Sequence, residues 1–347
     1  MTVACEAHEF LLRRVDLFRV RLGDHGIRVV LGKHDLSSRG AVGKVVVVGS
    51  TNTDMTVRVP RIPARGETVL GRDFQITAGG KGANQAVAAA RAGGAVVFVT
   101  ALGTDDLGDR ALENFVREGI DVDLVRRVPG APSGVALIFV DDAGENSIAV
   151  AAGANSQLLP EDIEPLAGIL AAGDMILLQL EIPLATVEAA ARMAVKQHAR
   201  VILNPAPARV LPDSLVAAVS LLTPNEREAE QLTGAGSSDE RALIRAAATL
   251  HERGVREVLI TLGARGVFAS SDGVSELVPA FRVEAVDTTA AGDVFNGSLA
   301  VGLVDGRSPR DAVRFASAAA ALSVTRMGAQ ASAPRRAEIE GFLRERV

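Results

Sequence analysis

From Lys44 onward the chain alternates short β-branched and aliphatic runs, at 45–48, 96–100, 175–178, 201–203 and 258–261, with Ala-rich stretches of helical character. Continuous apolar runs suit strands buried on both faces, and the helical stretches between them supply the crossovers that parallel strands need. The pattern predicts an α/β chain with a doubly wound, mostly parallel sheet sandwiched by helices. Ligands of such sheets sit beyond the carboxyl ends of the strands, and Asn204, Asn225 and Gly263 each follow such a strand. Four other segments, 53–59, 67–76, 134–140 and 147–151, read as antiparallel strands joined by turns such as Asp141-Asp142-Ala143-Gly144. They predict a small sheet covering the site. With no internal repeat or low-complexity linker, this β lid is read as inserted, from about 53–77 and 134–151, into a domain spanning 44–347.

The run Asp287-Thr288-Thr289-Ala290-Ala291-Gly292-Asp293-Val294-Phe295-Asn296 sets an aspartate at the mouth of a helix whose first turn is small. Backbone N–H groups at a helix N-terminus lack intrahelical partners and the dipole there is positive, so Ala291, Gly292 and Asp293 are placed to donate to a phosphoryl oxygen. Gly292 lets an anion approach the backbone, and Asp293 is placed to take a proton from an incoming hydroxyl. The chemistry suggested is phosphoryl transfer to an alcohol. Asp293 acting only as a helix cap is the plainer alternative.

A second small-residue loop, Ala78-Gly79-Gly80-Lys81-Gly82-Ala83-Asn84, precedes an Ala-rich helix read from about Gln85, and Lys81 and Asn84 give it polar reach. Alone, such a loop is as much a tight turn as a binding loop. Other nucleotide folds lack their motifs here: Lys33, Lys44 and Lys81 are followed by His, Val and Gly, which excludes a P-loop, and Gln85 stands where the last glycine of Gly-x-Gly-x-x-Gly would fall. No His-Arg-Asp loop of protein kinases occurs.

From about Val45 to the C-terminus the chain resembles the ribokinase-like family of carbohydrate kinases. The resemblance rests on Gly49-Ser50-Thr51-Asn52-Thr53-Asp54, the 79–84 loop, Leu178-Gln179-Leu180-Glu181, Asn204-Pro205-Ala206-Pro207-Ala208, Thr223-Pro224-Asn225-Glu226, Thr261-Leu262-Gly263 and the Asp293 run, in family order and spacing. It implies ATP-dependent phosphorylation of the 5-hydroxyl of D-ribose to ribose 5-phosphate, with Asp293 as general base and the Ala291 and Gly292 amides as anion hole. It also implies a β lid and pairing of two lids in a homodimer. Another acceptor, such as deoxyribose, another sugar or a nucleoside, and a non-catalytic sugar sensor stand as alternatives.

By the same resemblance Asn52, Asp54, Gly80, Lys81, Gly82, Asn84 and Glu181 surround the sugar. ATP meets Asn225, Thr261, Gly263, Gly266, Gly292 and Ser317. Asn225 and Glu228 orient Mg²⁺ through water, as suits an ion that keeps part of its hydration shell. Asp287, Thr289, Ser323, Arg326, Gly328 and Ser332 match positions that hold a monovalent cation, usually K⁺. Asp287 alone supplies anionic charge there, too sparse a set for a divalent ion. Ala290 departs from the glycine found in many members of the wider family.

Composition sets limits. Thirty-seven Lys and Arg against 42 Asp and Glu give a net charge of -5 with no long basic cluster, which disfavours nucleic acid or an anionic membrane as partner. The single cysteine, Cys5, excludes an intrachain disulfide framework and fits a reducing compartment, so the cytoplasm is expected. Residues 1–43 fall outside the family pattern. Glu6, Glu9, Asp16 and Asp24 interrupt the basic character a transit peptide needs, so the segment is read as a poorly ordered extension or a translation start placed too early.

Overall fold

The structure is a computed structural model that describes residues 19–23, 26–30, 43–236 and 239–346. The chain divides into two units, Met1–Ala41 and Val42–Val347. In the first, β1 (Arg19–Gly23) and β2 (Gly26–Val30) pair antiparallel, with Arg19 opposite Val30. Most of residues 1–43, and with them the expectation of a poorly ordered extension, lie outside the described residues.

The second unit is built on a nine-stranded sheet. Five parallel strands form its middle: β3 (Val45–Val48), β6 (Val96–Gly103), β10 (Met175–Leu178), β11 (Arg200–Leu203) and β13 (Glu257–Thr261), with the two-residue β12 (Leu221–Leu222) between β11 and β13. Every residue of β3 is fully buried, because alternate side chains enter different layers. Val45 and Val47 pack with Phe98, Phe295 and Phe315 on one face, and Val46 and Val48 with Leu166, Val187 and Leu203 on the other. A strand covered on both faces has no polar side to show, which is why its sequence reads as an unbroken apolar run. Each such Val or Leu contributes about 1.5–3 kcal/mol through burial.

β7 (Val125–Val128) extends the sheet at one edge, in parallel. At the other, β14 (Val267–Ser271) and β15 (Val274–Val278) add two antiparallel strands that the sequence reading did not separate. Their turn was legible: Asp272 and Gly273 both have positive φ, the conformation that Asp-Gly hairpins favour.

The lid is a four-stranded sheet in the order β5 (Phe74–Gly79), β4 (Asn52–Arg58), β8 (Gly134–Val140), β9 (Asn146–Ala151). Two expectations are corrected. The strand read at 67–76 is confined to Phe74–Gly79, since Arg65 and Gly66 form a turn and residues 67–73 are irregular. And β4 pairs with β8 in parallel, because helices and strands of the main sheet intervene and return the chain in the same direction. Among the described residues no helix is long and apolar enough to cross a membrane.

Candidate active site

The Gly-rich segment expected to be a loop runs from the end of β5 through the N-cap Gly80 into the first turn of helix α1 (Lys81–Arg91), which starts four residues earlier than its propensities suggest. The backbone demands its glycines. Gly80 has φ 87°, and a Cβ there would lie 2.6 Å from the Asn52 nitrogen; a Cβ on Gly82 would lie 2.5 Å from the Ser50 nitrogen. Both glycines thus seat α1 against the β3–β4 turn. In return Ala83 N donates to Ser50 O at 2.9 Å. With Asn52 paired to Gly79 across β4 and β5, the two motifs expected to hold the sugar become neighbours.

Asp293 lies in the first turn of α7 (Ala291–Val304), a helix buried from Asp293 to Gly302. One turn further on, a Cβ at Gly297 would sit 2.5 Å from Gln85 O and 2.9 Å from Ala88 Cβ. This tight crossing brings α1 alongside the carboxylate. Asn84 Nδ2 donates to Asp293 Oδ2 at 3.0 Å and Gln85 Nε2 donates to Oδ1 at 2.9 Å. Burial pushes the Asp293 carboxyl above its ordinary range, with Lys81 and the two amide donors pulling against it. A buried carboxylate with a raised pKa is suited to accept a proton near neutral pH.

Around it stand three more carboxylates and one ammonium. Ser50 Oγ donates to Glu181 Oε2 at 2.5 Å, and the Lys81 backbone N–H donates to the same oxygen at 3.1 Å. Burial and the nearby charges of Glu181 and Asp293 raise Asp54 to about 6. For Lys81, burial favours the neutral amine, yet Asp293, Glu181, Glu228 and Asp54 together outweigh it and raise the pKa. Lys81 is therefore a firmly charged ammonium in an acidic cleft. Asn84 Oδ1 has no hydrogen-bond partner among the described residues, which leaves an acceptor beside Asp293.

At the helix mouth, nothing lies within 4 Å of where a Gly292 Cβ would stand. The protein's own packing gives no reason for glycine there, in contrast to Gly80 and Gly82. Ala290, the N-cap, has φ 58°. That left-handed backbone accounts for the family preference for glycine and costs an alanine about 1–2 kcal/mol.

Of the remaining predicted residues, Asn225 and Glu228 are joined in a reciprocal cap of α5 (Glu226–Thr233), Asn225 N donating to Glu228 Oε2 at 2.8 Å and Glu228 N to Asn225 Oδ1 at 2.9 Å. Burial raises Glu228, with Asn225 and Lys81 opposing. Thr261 ends β13 and bridges to Asn225, which sets the two strand-end segments side by side. Gly263 at φ 57° has open space around it; Gly266 at φ 110° abuts Val278 O. Ser317, on α8 (Pro309–Ser323), is buried with its hydroxyl unpartnered.

In the 287–332 group, Asp287 takes Thr289 N at 2.9 Å on Oδ1 and Gly328 N at 2.8 Å on Oδ2. Burial alone would raise this carboxyl, but those donors win and hold it below the usual range. The hydroxyls of Ser323 and Ser332 donate to Ala320 O and Ala329 O, each at 2.8 Å, and Arg326 pairs with Glu338. The arginine side chain is thus committed elsewhere and offers this loop only its main chain. Among the described residues no three His, Cys, Asp or Glu side chains gather into a group able to hold a metal.

The sequence reading missed a buried polar chain behind Asp293. Gln179 Nε2 donates to Gln85 Oε1 at 2.5 Å, and Gln85 Nε2 reaches Asn204 Oδ1 at 3.1 Å. Asn204 Nδ2 donates to Thr223 O at 3.1 Å, Thr223 Oγ1 to Asn296 Oδ1 at 2.6 Å, and Asn296 Nδ2 to Gly292 O at 2.8 Å. All but Gln85, which directly follows the 79–84 loop, stand inside the family motifs, yet only their shared burial reveals them as one network.

The chain is similar in sequence and fold to known proteins. The profile described as pfkB family carbohydrate kinase matches residues 42–336. A ribokinase of Haemophilus influenzae is 46% identical over 86% of this chain and 98% of its own length. A deoxyribokinase of Salmonella typhi is 40% identical over 84% and 95%. The structure of Arabidopsis thaliana ribokinase complexed with ribose and ATP superposes with a TM-score of 0.81 at 35% identity, covering 87% of this chain and 99% of that one.

Proposed function

The chain belongs to the pfkB family of carbohydrate kinases and is an ATP-dependent sugar kinase; we propose that it transfers the γ-phosphoryl group of ATP to the 5-hydroxyl of D-ribose, with Asp293 as general base. The observation that carries the residue assignment is a buried carboxylate, oriented by two amides, in the first turn of a helix whose Gly292 opens onto empty space.

Ribose lies between Asn52, Asp54, Asn84, Lys81 and Glu181, with Gly80 and Gly82 fixing the backbone under it. A carboxylate such as Asp54 accepts from two neighbouring hydroxyls, which favours a sugar with a cis-diol. Asp293 removes the proton of the attacking hydroxyl, and the Ala291 and Gly292 amides with Lys81 stabilise the charge on the moving phosphoryl group. ATP lies along Asn225, Thr261, Gly263 and Gly266, with Ser317 near the base. The lid, inserted in the domain at about 53–77 and 134–151, closes over the sugar and excludes water.

Like other ATP-dependent kinases, the enzyme takes ATP with a divalent metal. Mg²⁺ on the phosphates neutralises charge during transfer. The free Oε1 of Glu228 and the Asn225 amide nitrogen fit water-mediated contact, since the donor set is too sparse for direct binding. Asp287, kept ionised, with Thr289 and main-chain oxygens at Ser323, Arg326, Gly328 and Ser332, fits a K⁺ ion that would order the 287–292 backbone.

One face of the lid carries Phe74, Ile76, Leu137 and Phe139, with Phe74 59% exposed. Asp54 is on the opposite face. A contiguous apolar face of this kind is suited to a second copy of the chain, giving a homodimer through the lids. We assign the enzyme to the cytoplasm.

The test is ADP release with Mg·ATP, comparing ribose, 2-deoxyribose, fructose and adenosine, each in K⁺ and in Na⁺ buffer. Saturation at the lowest concentration by ribose, with K⁺ stimulation, supports the reading. The deoxyribokinase relative makes deoxyribose the second candidate, and a preference for it would keep Asp293 and move the acceptor. Ribose binding without ADP release would favour a sensor.

A further inference from the structure

Gln85 is fully buried, and both protons of its amide are committed, one to Asp293 Oδ1 at 2.9 Å and one to Asn204 Oδ1 at 3.1 Å. Its oxygen accepts from Gln179 Nε2 at 2.5 Å. The two acceptors it faces disfavour the flipped amide: turned over, Gln85 would set its oxygen against both the Asp293 carboxylate and Asn204 Oδ1, whose own amide nitrogen is held by Thr223 O. The amide therefore presents only N–H to the carboxylate. Its main chain is equally fixed by the close crossing at Gly297.

We propose that Gln85 is a positioning residue for phosphoryl transfer, one that sets the plane of the Asp293 carboxylate and keeps it a proton acceptor. The assignment rests on the reading of Asp293 as general base. Asn84 alone would leave one carboxylate oxygen unheld, and its own oxygen is buried with no partner among the described residues. Gln85 stands behind the carboxylate and touches no part of the cleft that a sugar would fill. Through Asn204, Thr223 and Asn296 the same amide is tied to Gly292 O, so the base and the anion-binding turn share one scaffold.

The physical consequence is a matter of charge. Burial favours the neutral acid at Asp293, and Glu181 adds to that preference, whereas Lys81, Asn84 and Gln85 oppose it. Asp54 and Glu228 complete the set of titratable groups facing this cluster from the lid and from α5. Removing the Gln85 donor leaves burial less opposed, so a larger share of the enzyme carries a protonated, inactive Asp293 at neutral pH. A hydrogen bond to a charged group is worth roughly tenfold to a hundredfold in such an equilibrium.

The experiment is kcat against pH from about 5.5 to about 9.5 for the wild type, Gln85→Met, Gln85→Glu and Asp293→Asn, at saturating ribose and Mg·ATP. In Gln85→Met, kcat at neutral pH falls about tenfold or more, the acid limb moves toward alkaline pH, part of the activity returns there, and the KM for ribose changes less than about threefold. Gln85→Glu, which sets a second carboxyl against Oδ1, moves the limb further. A merely structural role would lower kcat and thermal stability without moving the limb. If Gln85→Met does not fold, Gln179→Met removes the donor that holds the Gln85 oxygen while leaving both acceptors of its amide in place, and a smaller shift in the same direction is expected. An acid limb unmoved in the Gln85 and Gln179 variants, with Asp293→Asn inactive, overturns the proposal alone; near-normal turnover of Asp293→Asn overturns the base assignment beneath it.

Discussion

Replacing Gly292 with alanine separates the two reasons for a glycine in the first turn of α7. The added methyl would meet no protein atom within 4 Å, so packing sets no penalty. The residue lies within the helix at negative φ, where alanine is favoured over glycine by roughly 0.5–1 kcal/mol. Near a helix end about half of that is expected, a rise in Tm of about 1 °C. The same methyl stands where a phosphoryl oxygen must approach the Ala291 and Gly292 amides. Loss of one such donor costs about 10²–10³-fold in kcat. Stability and turnover thus move in opposite directions. The assay is a melting curve beside ADP release with saturating ribose. A variant as active as the wild type would show that no transferring group reaches this backbone, and the anion-hole assignment would fall.

Four further outcomes are expected. Asp293→Asn lowers kcat by about 10²–10⁴-fold, with ribose binding by calorimetry largely unchanged. Asp54, raised to about 6, contributes stability that is fully present below its unfolded value near 3.8 and lost as pH rises through about 6. Asp54→Asn therefore raises the Tm at pH near 8, by up to about 2–3 kcal/mol in stability, and not at pH near 3.5, while weakening ribose; in the wild type the KM for ribose climbs as pH falls below about 6. Ala290→Gly relieves a left-handed cost of about 1–2 kcal/mol and loses about 0.4–1 kcal/mol to the freer unfolded chain, a net gain of up to about 1.6 kcal/mol in urea unfolding. Leu137→Glu on the exposed lid face shifts sedimentation from dimer to monomer, and an unchanged dimer would place the interface elsewhere.

The parallel sheet was legible because a strand buried on both faces leaves no polar positions, and Val45 to Val48 or Met175 to Leu178 admit no other reading. Asp293 was legible because a helix N-terminus announces itself in small residues followed by an acid. The start of α1 was not, since Lys81-Gly82-Ala83 is helical only through Gly82 packing on Ser50 and Ala83 bonding to its carbonyl. The parallel pairing of β4 with β8 was equally hidden: local patterning marks a strand and says nothing of the direction of a partner eighty residues away.

By itself, then, the sequence determined the alternation of core strands and helices, the family motifs and the acid at the mouth of α7, because each depends on residues within a few positions of one another. Tertiary structure alone decided that Gln85, Gln179, Asn204, Thr223 and Asn296 form one hydrogen-bonded chain behind that acid. It also decided which glycines seat helices and which open onto empty space. These properties depend on burial and on distances between segments up to two hundred residues apart, and only the closed packing of α1 against α7 brings them into being.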